Sequence, residues 1–420
     1  MKTRILTACL ALIFTPGIGA QTSDKHYGEN EDYRRSSLCL IMLTHQDTKY
    51  AQEMEEQFLQ IPLPVKYNAH NTAERILSSS HQELKKDEVI AIVEERQIAK
   101  ELVLKWLNYD PVTGNMNLDL VHRRGDQNAT YADLQRALST ARGVEALGDE
   151  GLELIQNTFL LVCDMSYYDR SKTGGLLTGL GLIAAGVMQG MANEERRKGN
   201  RKQADSWDLG TSAALTGAVV ASDLGGFSVR IYAHLLRLKW NDDLTDKMFS
   251  EYWVDEDTPD DERRARRLAL EQDNESFGWE YVGTYTEKTG KTVFKSANDM
   301  LAVIRQVCAD TIDEGMETLA KKFPVFRPKT TFLCGNNLIY AYIGLKEGVN
   351  SDSKYEILEK KKKNGEIVYK AIDEARPQEI WDNSQVIMEE VDLSQVTGSS
   401  FKCKKGKDVC DKGYLMREKM

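Results

Sequence analysis

The sequence predicts an α+β protein: a mixed helix/sheet domain that carries an inserted Gly/Ala-rich helical hairpin, then a small β-domain. Three observations predict it. Val89, Ile92, Val93, Leu102, Val103 and Trp106 recur at the i, i+3, i+4 spacing of a core-facing helix. Residues 158–165 (TFLLVCDM) form a short apolar run of buried-strand type. Beyond Pro324 and Pro328 the helical rhythm gives way to short strands, two of them separated by Asn364-Gly365, a strong hairpin signal.

In chain order, Lys2 and Arg4 precede an almost wholly apolar stretch from Ile5 to Phe14, followed by Pro16, Gly17 and small residues up to Ala20. That is the order of a secretory signal peptide, with cleavage expected between Ala20 and Gln21. The apolar run is too short to anchor in a bilayer, which takes ~20 residues. Cys9 lies inside it and is not read as a lipid-attachment site. Residues 21–35 are polar and read as a flexible arm.

The main domain is expected over 36–328. Ser36 to Leu43 reads as a buried strand. A helix capped by Asp47 runs to about Gln60, with Tyr50, Met54, Phe58 and Ile61 on one stripe, and Pro62 and Pro64 stop it. One helix is expected from Asp87 to Asn108. Tyr131 to Gln156 gives another helix or a broken pair, because Gly143, Gly148 and Gly151 weaken its interior.

Residues 227–240 are the natural strand partner of 158–165. Phe227, Val229, Ile231, Ala233 and Leu235 alternate with Arg230, Tyr232 and His234. After Leu235 the apolar set becomes Leu236, Leu238 and Trp240, as a β-bulge would make it. Residues 277–286 form a third strand. Thr258-Pro259 followed by acids and then by Arg263, Arg264, Arg266 and Arg267 is a helix start. The neighbouring Asp255-Glu256-Asp257 lacks the alternating ligands and central glycine of a calcium loop. Ser296 to Lys321 is a strong helix with Leu301, Ile304, Cys308, Ile312 and Leu319 as its stripe. From 329 to 420 a small β-domain with a basic C-terminal tail is expected, and Lys360 to Lys363 read as a solvated tip that discourages edge pairing.

One segment is unusual. Residues 173–193 carry no charge, residues 209–222 resemble them, and a charged stretch lies between. Gly175 and Gly179, and Gly186 and Gly190, are four apart, so each pair shares a helix face. Small residues on one face let two backbones approach closely. The insert 173–222 is therefore expected to support self-association, or contact with a partner or membrane surface.

Net charge is −10, and removal of Lys2 and Arg4 makes it −12. That balance opposes a general nucleic-acid binder, which needs clustered Lys and Arg. The chain has seven cysteines. In an oxidising destination Cys403 and Cys410, close together in a polar stretch, are expected to form a disulfide. Cys39, Cys163 and Cys308 sit among apolar residues and are expected to pack as small hydrophobes.

Catalytic motifs are missing: no GxxxxGK[ST], no HExxH and no GxSxG. No two of His26, His45, His70, His81, His122 and His234 lie at metal-ligand spacing on one expected element, and neither metal nor cofactor is expected. Cys163, Asp164 and His234 fall on paired strands, so a Cys163/His234 dyad is conceivable, but an apolar setting raises a thiol pKa. Asn128-Ala129-Thr130 fits a glycosylation sequon.

Arg35-Ser36-Ser37-Leu38, residues 236–242 (LRLKWND), residues 344–349 (GLKEGV) and Tyr355-Glu356-Ile357-Leu358 carry a resemblance. In these stretches the chain resembles uncharacterised exported proteins of Bacteroidota-type bacteria. The resemblance implies an envelope location (periplasm, outer-membrane-associated or extracellular) and no particular chemistry. The expected function is non-enzymatic binding or assembly in the cell envelope. The alternative is an exported, hydrolase-like enzyme whose site joins residues distant in sequence, with His45, His122 or His234 among them.

Overall fold

The computed structural model describes residues 34–45, 51–61, 63–64, 66–148, 150–169, 188–189, 191–193, 224–294, 300–363, 366–384, 398–405, 409 and 415–420. The signal sequence with its Ala20/Gln21 exit lies outside them, as do Gly175, Gly179, Gly186 and Gly190.

Strand β1 (Ser37–His45) is buried along its length, as its apolar run demands. Helix α1 (Ala51–Leu59), β2 (Asn68–Ala69) and β3 (Ile76–Ser79) follow. The single helix expected over 87–108 is two, α2 (Lys86–Glu95) and α3 (Ile98–Trp106), because the backbone turns left-handed at Gln97 with φ 51°. The apolar stripe survives the break: Val89, Val93, Ile98, Leu102 and Trp106 share one core. Helix α4 (Asp119–Asn128) comes next. The 131–156 region is broken, into α5 (Tyr131–Leu138), a 3₁₀ turn (Gly143–Leu147) and α6 (Glu150–Ile155). Gly143 has φ +61°, which a residue with a side chain resists.

Strands β4 (Thr158–Asp169) and β5 (Leu224–Leu238) are followed by α7 (Asp242–Lys247), α8 (Asp260–Gln272), β6 (Trp279–Phe294) and α9 (Met300–Lys322). The first sheet runs β2-β1-β4-β5-β6, with β3 also paired to β1. Strand β1 is parallel to β2, β3 and β4, whereas β4, β5 and β6 are antiparallel. Side chains alternate between its faces. Cys39, Ile41, Leu43, Leu160 and Val162 face the core of α2 and α3, while Leu38, Leu40, Met42, Phe159, Leu161 and Cys163 face the core of α1 and α9. Helices on both faces of one sheet make three layers. Trp106, fully buried, gives its indole N–H to Thr158 Oγ1 at 2.9 Å.

The register shift expected at Leu235 is present, but the extra residue is Val282 on β6: Leu235 pairs with Gly283 and Leu236 with Tyr281. Strand β5 keeps its own alternation; the face carrying His234 turns from polar to apolar at Leu236.

The second sheet takes its strands from 329–418: β7 (Lys329–Thr330), β8 (Leu333–Gly335), β9 (Leu338–Ala341), β10 (Tyr355–Lys363), β11 (Glu366–Glu379), β12 (Ser399–Cys403) and β13 (Leu415–Glu418). It is antiparallel in the order β7-β13-β10-β11-β12-β9-β8. Lys363 pairs with Glu366, so two residues join β10 to β11, as Asn364-Gly365 indicates. The chain is α+β.

Several expectations need correcting. Arg34 and Arg35 are buried, so the expected arm does not extend through residue 35. Residues 415–418 are an inner strand, because their backbone completes the ladder between β7 and β10, and so do not belong to a tail. Lys360 is no solvated tip: its ammonium lies 2.6 Å from Glu153 and 3.0 Å from Glu150, tying the second sheet to α6. The disulfide expected between Cys403 and Cys410 is not formed at Cys403, which is a free thiol packed against the core of the second sheet. Cys334, exposed on the edge strand β8, is the disulfide-bonded cysteine, and its partner lies outside the described residues. The Asn128 sequon is buried, with its amide donating to Arg124 O at 2.9 Å, so it presents no acceptor. Cys39, Cys163 and Cys308 are buried free thiols.

Candidate functional site

Parallel strands end together, and the carboxyl ends of such strands are where open sheets gather polar groups. Here β1 ends at His45 and β3 at Ser79, which pair with each other. On the next strand Asp164 sits two residues beyond Val162 on the same face. His45 Nε2 is 2.7 Å from Asp164 Oδ1, and the backbone N–H of Leu84 donates to Asp164 Oδ2 at 2.9 Å. An ionised carboxylate only accepts, so the imidazole proton on Nε2 points to Asp164. Both carboxylate oxygens are then used, as a group with no solvent exposure requires.

The same face of β5 adds His234. Its Nδ1 is 2.9 Å from the Tyr281 hydroxyl of β6. Burial lowers the pKa of His234, with the Asp164 carboxylate opposing, so the ring is held neutral near pH 7. Ser166 lies two residues beyond Asp164 on the same face of β4 and is buried. Three buried polar atoms in this group have no hydrogen-bond partner: His45 Nδ1, His234 Nε2 and Ser166 Oγ. Buried polar atoms are nearly always paired, so three on one face of the sheet make this the candidate site. At its rim Arg230 donates to Glu83 Oε1 at 3.2 Å, and Lys86 lies 5.4 Å from the Tyr281 ring centroid.

Sequence reasoning named His45 and His234 and set Asp164 on a strand paired with that of His234, but missed Ser166 and Tyr281 as their company. An acid inside TFLLVCDM was the available signal. His122 does not join them; it sits on α4 against Gly148. The Cys163/His234 dyad is ruled out by register: Cys163 pairs with Ala233 and faces α9, whereas His234 is on the opposite face. Burial raises the Cys163 thiol far above its ordinary pKa. Among the described residues no group of three or more His, Cys, Asp or Glu is placed to hold a metal ion.

Past this cluster the sheet continues without β1. Strands β5 and β6 stay paired out to Leu224–Phe294, and β4 accompanies them to Asp169. Six residues of β6 beyond Lys288 project about 20 Å at ~3.4 Å each. Strand β6 is the sheet's edge, and among the described residues no strand pairs with its far side. Its 16 residues far exceed the usual five or six. The chain between Asp169 and Leu224, which contains the Gly/Ala-rich stretches, leaves and re-enters the sheet at this projecting end. No helix among the described residues is long and apolar enough to cross a membrane. No protein-family model matches the chain, and no curated protein matches it.

Proposed function

We propose that the protein is exported to the cell envelope and acts by binding and assembly rather than catalysis, with a second copy of the chain as the partner. The observation that carries this reading is the 16-residue edge strand β6, whose far side pairs with no strand among the described residues. An open edge offers unpaired N–H and C=O groups to another strand, and Thr, Tyr and Val in β6 favour extended pairing. The small-residue stretches of 173–222 lie in sequence between β4 and β5, and small residues allow the close backbone approach that aids association. A disulfide at Cys334 fits an oxidising destination.

Deleting 173–222 and measuring native mass tests the reading. The expected result is a folded protein that has lost its oligomer or its membrane-fraction association. A variant with the parent's assembly state, after allowing for lost mass, overturns it.

The enzyme reading is second, and the His45–Asp164 pair on the same sheet face as the buried Ser166 favours it. An oriented base next to a hydroxyl is the skeleton of nucleophilic catalysis. Ser166 Oγ, however, makes no hydrogen bond to His45. Hydrolase activity abolished by both Ser166→Ala and His45→Ala would move this reading to first place.

A further inference from the structure

At the amino end of β1 the second sheet closes over a group of cations. Lys329, the first residue of β7, is 8% exposed. Its Nζ donates to Val325 O at 3.3 Å and lies 5.6 Å from the Tyr369 ring centroid. Its cross-strand partner is Arg417. Such partners hold their Cβ atoms ~5 Å apart, where like charges repel. The Arg417 guanidinium is engaged by Glu356 Oε2, at 3.2 Å from Nε and 2.6 Å from Nη2.

Arg35 is 7% exposed. It donates from Nη1 to the Asn128 carbonyl, and its Nε is buried with no hydrogen-bond partner. Arg237 donates from Nε to Gln156 O at 3.0 Å, and its Nη1 lies 3.8 Å from Glu280. Burial first, and then Arg237, Arg417 and Arg35, push the Lys329 amine down to about 7. The acids nearby are already engaged. Glu356 serves Arg417, and Glu153, which feels Arg35, is held by Lys360 at 2.6 Å. Among the described residues neither Lys329 nor Arg35 forms an ion pair with a carboxylate, and buried charge without a partner is costly.

We propose that Lys329, Arg35, Arg237 and Arg417 bind a tetrahedral oxyanion, a phosphate or phosphomonoester group, in the seam between the two sheets. Donors on separate elements suit an anion whose oxygens point several ways, and guanidinium groups match phosphate geometry. The anion accepts from Lys329 Nζ and Arg35 Nε and joins the two sheets through them.

The experiment uses the full mature chain at constant ionic strength, titrated with inorganic phosphate, glycerol phosphate or chloride. Calorimetry and the thermal midpoint are both read. Phosphate is expected to bind at one site and raise the midpoint, while chloride does neither. Lys329→Met is expected to weaken phosphate binding at least tenfold, and Arg35→Gln serves as the second variant should the first not fold. Binding of phosphate alone identifies a closed seam holding the free ion; equal binding of glycerol phosphate identifies a site open to an ester. A phosphate response no larger than that of chloride, or variants that bind phosphate like the parent, overturns the proposal.

Discussion

The two ends of β1 bury polar groups by opposite means. At the carboxyl end Asp164 has a partner on each oxygen, one from His45 and one from the Leu84 backbone. At the amino end Lys329 and Arg35 are buried with carbonyl hydrogen-bond partners, and among the described residues the nearby acids Glu356 and Glu153 pair with Arg417 and Lys360. The first arrangement is a fixed polar pair that the fold needs intact. The second is a surplus of one sign that the fold tolerates. A paired buried charge and an unpaired one respond oppositely to removal, and that difference gives the comparison its tests.

The largest effect is expected at the paired end. Asp164→Ala leaves the Leu84 N–H and the His45 imidazole buried without acceptors, and should cost about 3–5 kcal/mol in denaturant unfolding. A cost below ~1 kcal/mol would mean that the pair is not structural. Lys329→Met is next and of opposite sign. In anion-free buffer near pH 7 it should stabilise the protein by about 1–4 kcal/mol, because each unit by which burial depresses the amine's pKa is ~1.4 kcal/mol against the charged form.

The pH dependence follows from the same residue. Its amine sits at about 7 in the folded chain and near its ordinary value of ~10.4 when unfolded. Between those values the unfolded chain holds the proton and the folded chain does not. Stability contributed by this group therefore rises with pH across that window. The difference between parent and Lys329→Met in unfolding free energy should shrink as pH goes from 7 to 10, and a constant difference would refute the assignment.

Lys360→Ala sharpens the picture of how the sheets are joined. It removes a half-buried contact to Glu150 and Glu153 and should cost about 1 kcal/mol, read from the thermal midpoint. The smallest effect is chemical. In peptide mapping without reductant Cys403 should be recovered as a free thiol and Cys334 in a disulfide; the reverse result would restore the pairing expected from sequence.

The strands of the first sheet were legible because they are apolar runs, and Leu235 marked the bulge even though the inserted residue proved to be Val282. The break at Gln97 was not legible. Glutamine carries no turn signal, and the apolar stripe passes through it undisturbed. Helix α4 escaped because Leu120 and Val121 are nearly its only apolar side chains. Strands β2 and β7, two residues each, are too short to show a period. Of the site, His45 and His234 were visible as histidines, but Asp164 meets His45 across 119 positions of sequence, and only the sheet register brings them together. The cationic seam was invisible for the same reason: Arg35, Arg237, Lys329 and Arg417 are scattered over four elements or linkers, in a chain whose overall charge is negative.

Strand β13 is the latest in sequence of the second sheet's strands, yet it lies between β7 and β10 rather than at a border. Until residues 415–418 are in place, β10 keeps one side open and β7 has nothing to pair with. A chain interrupted before Leu415 would therefore present an unfilled slot between β7 and β10 to any extended peptide nearby.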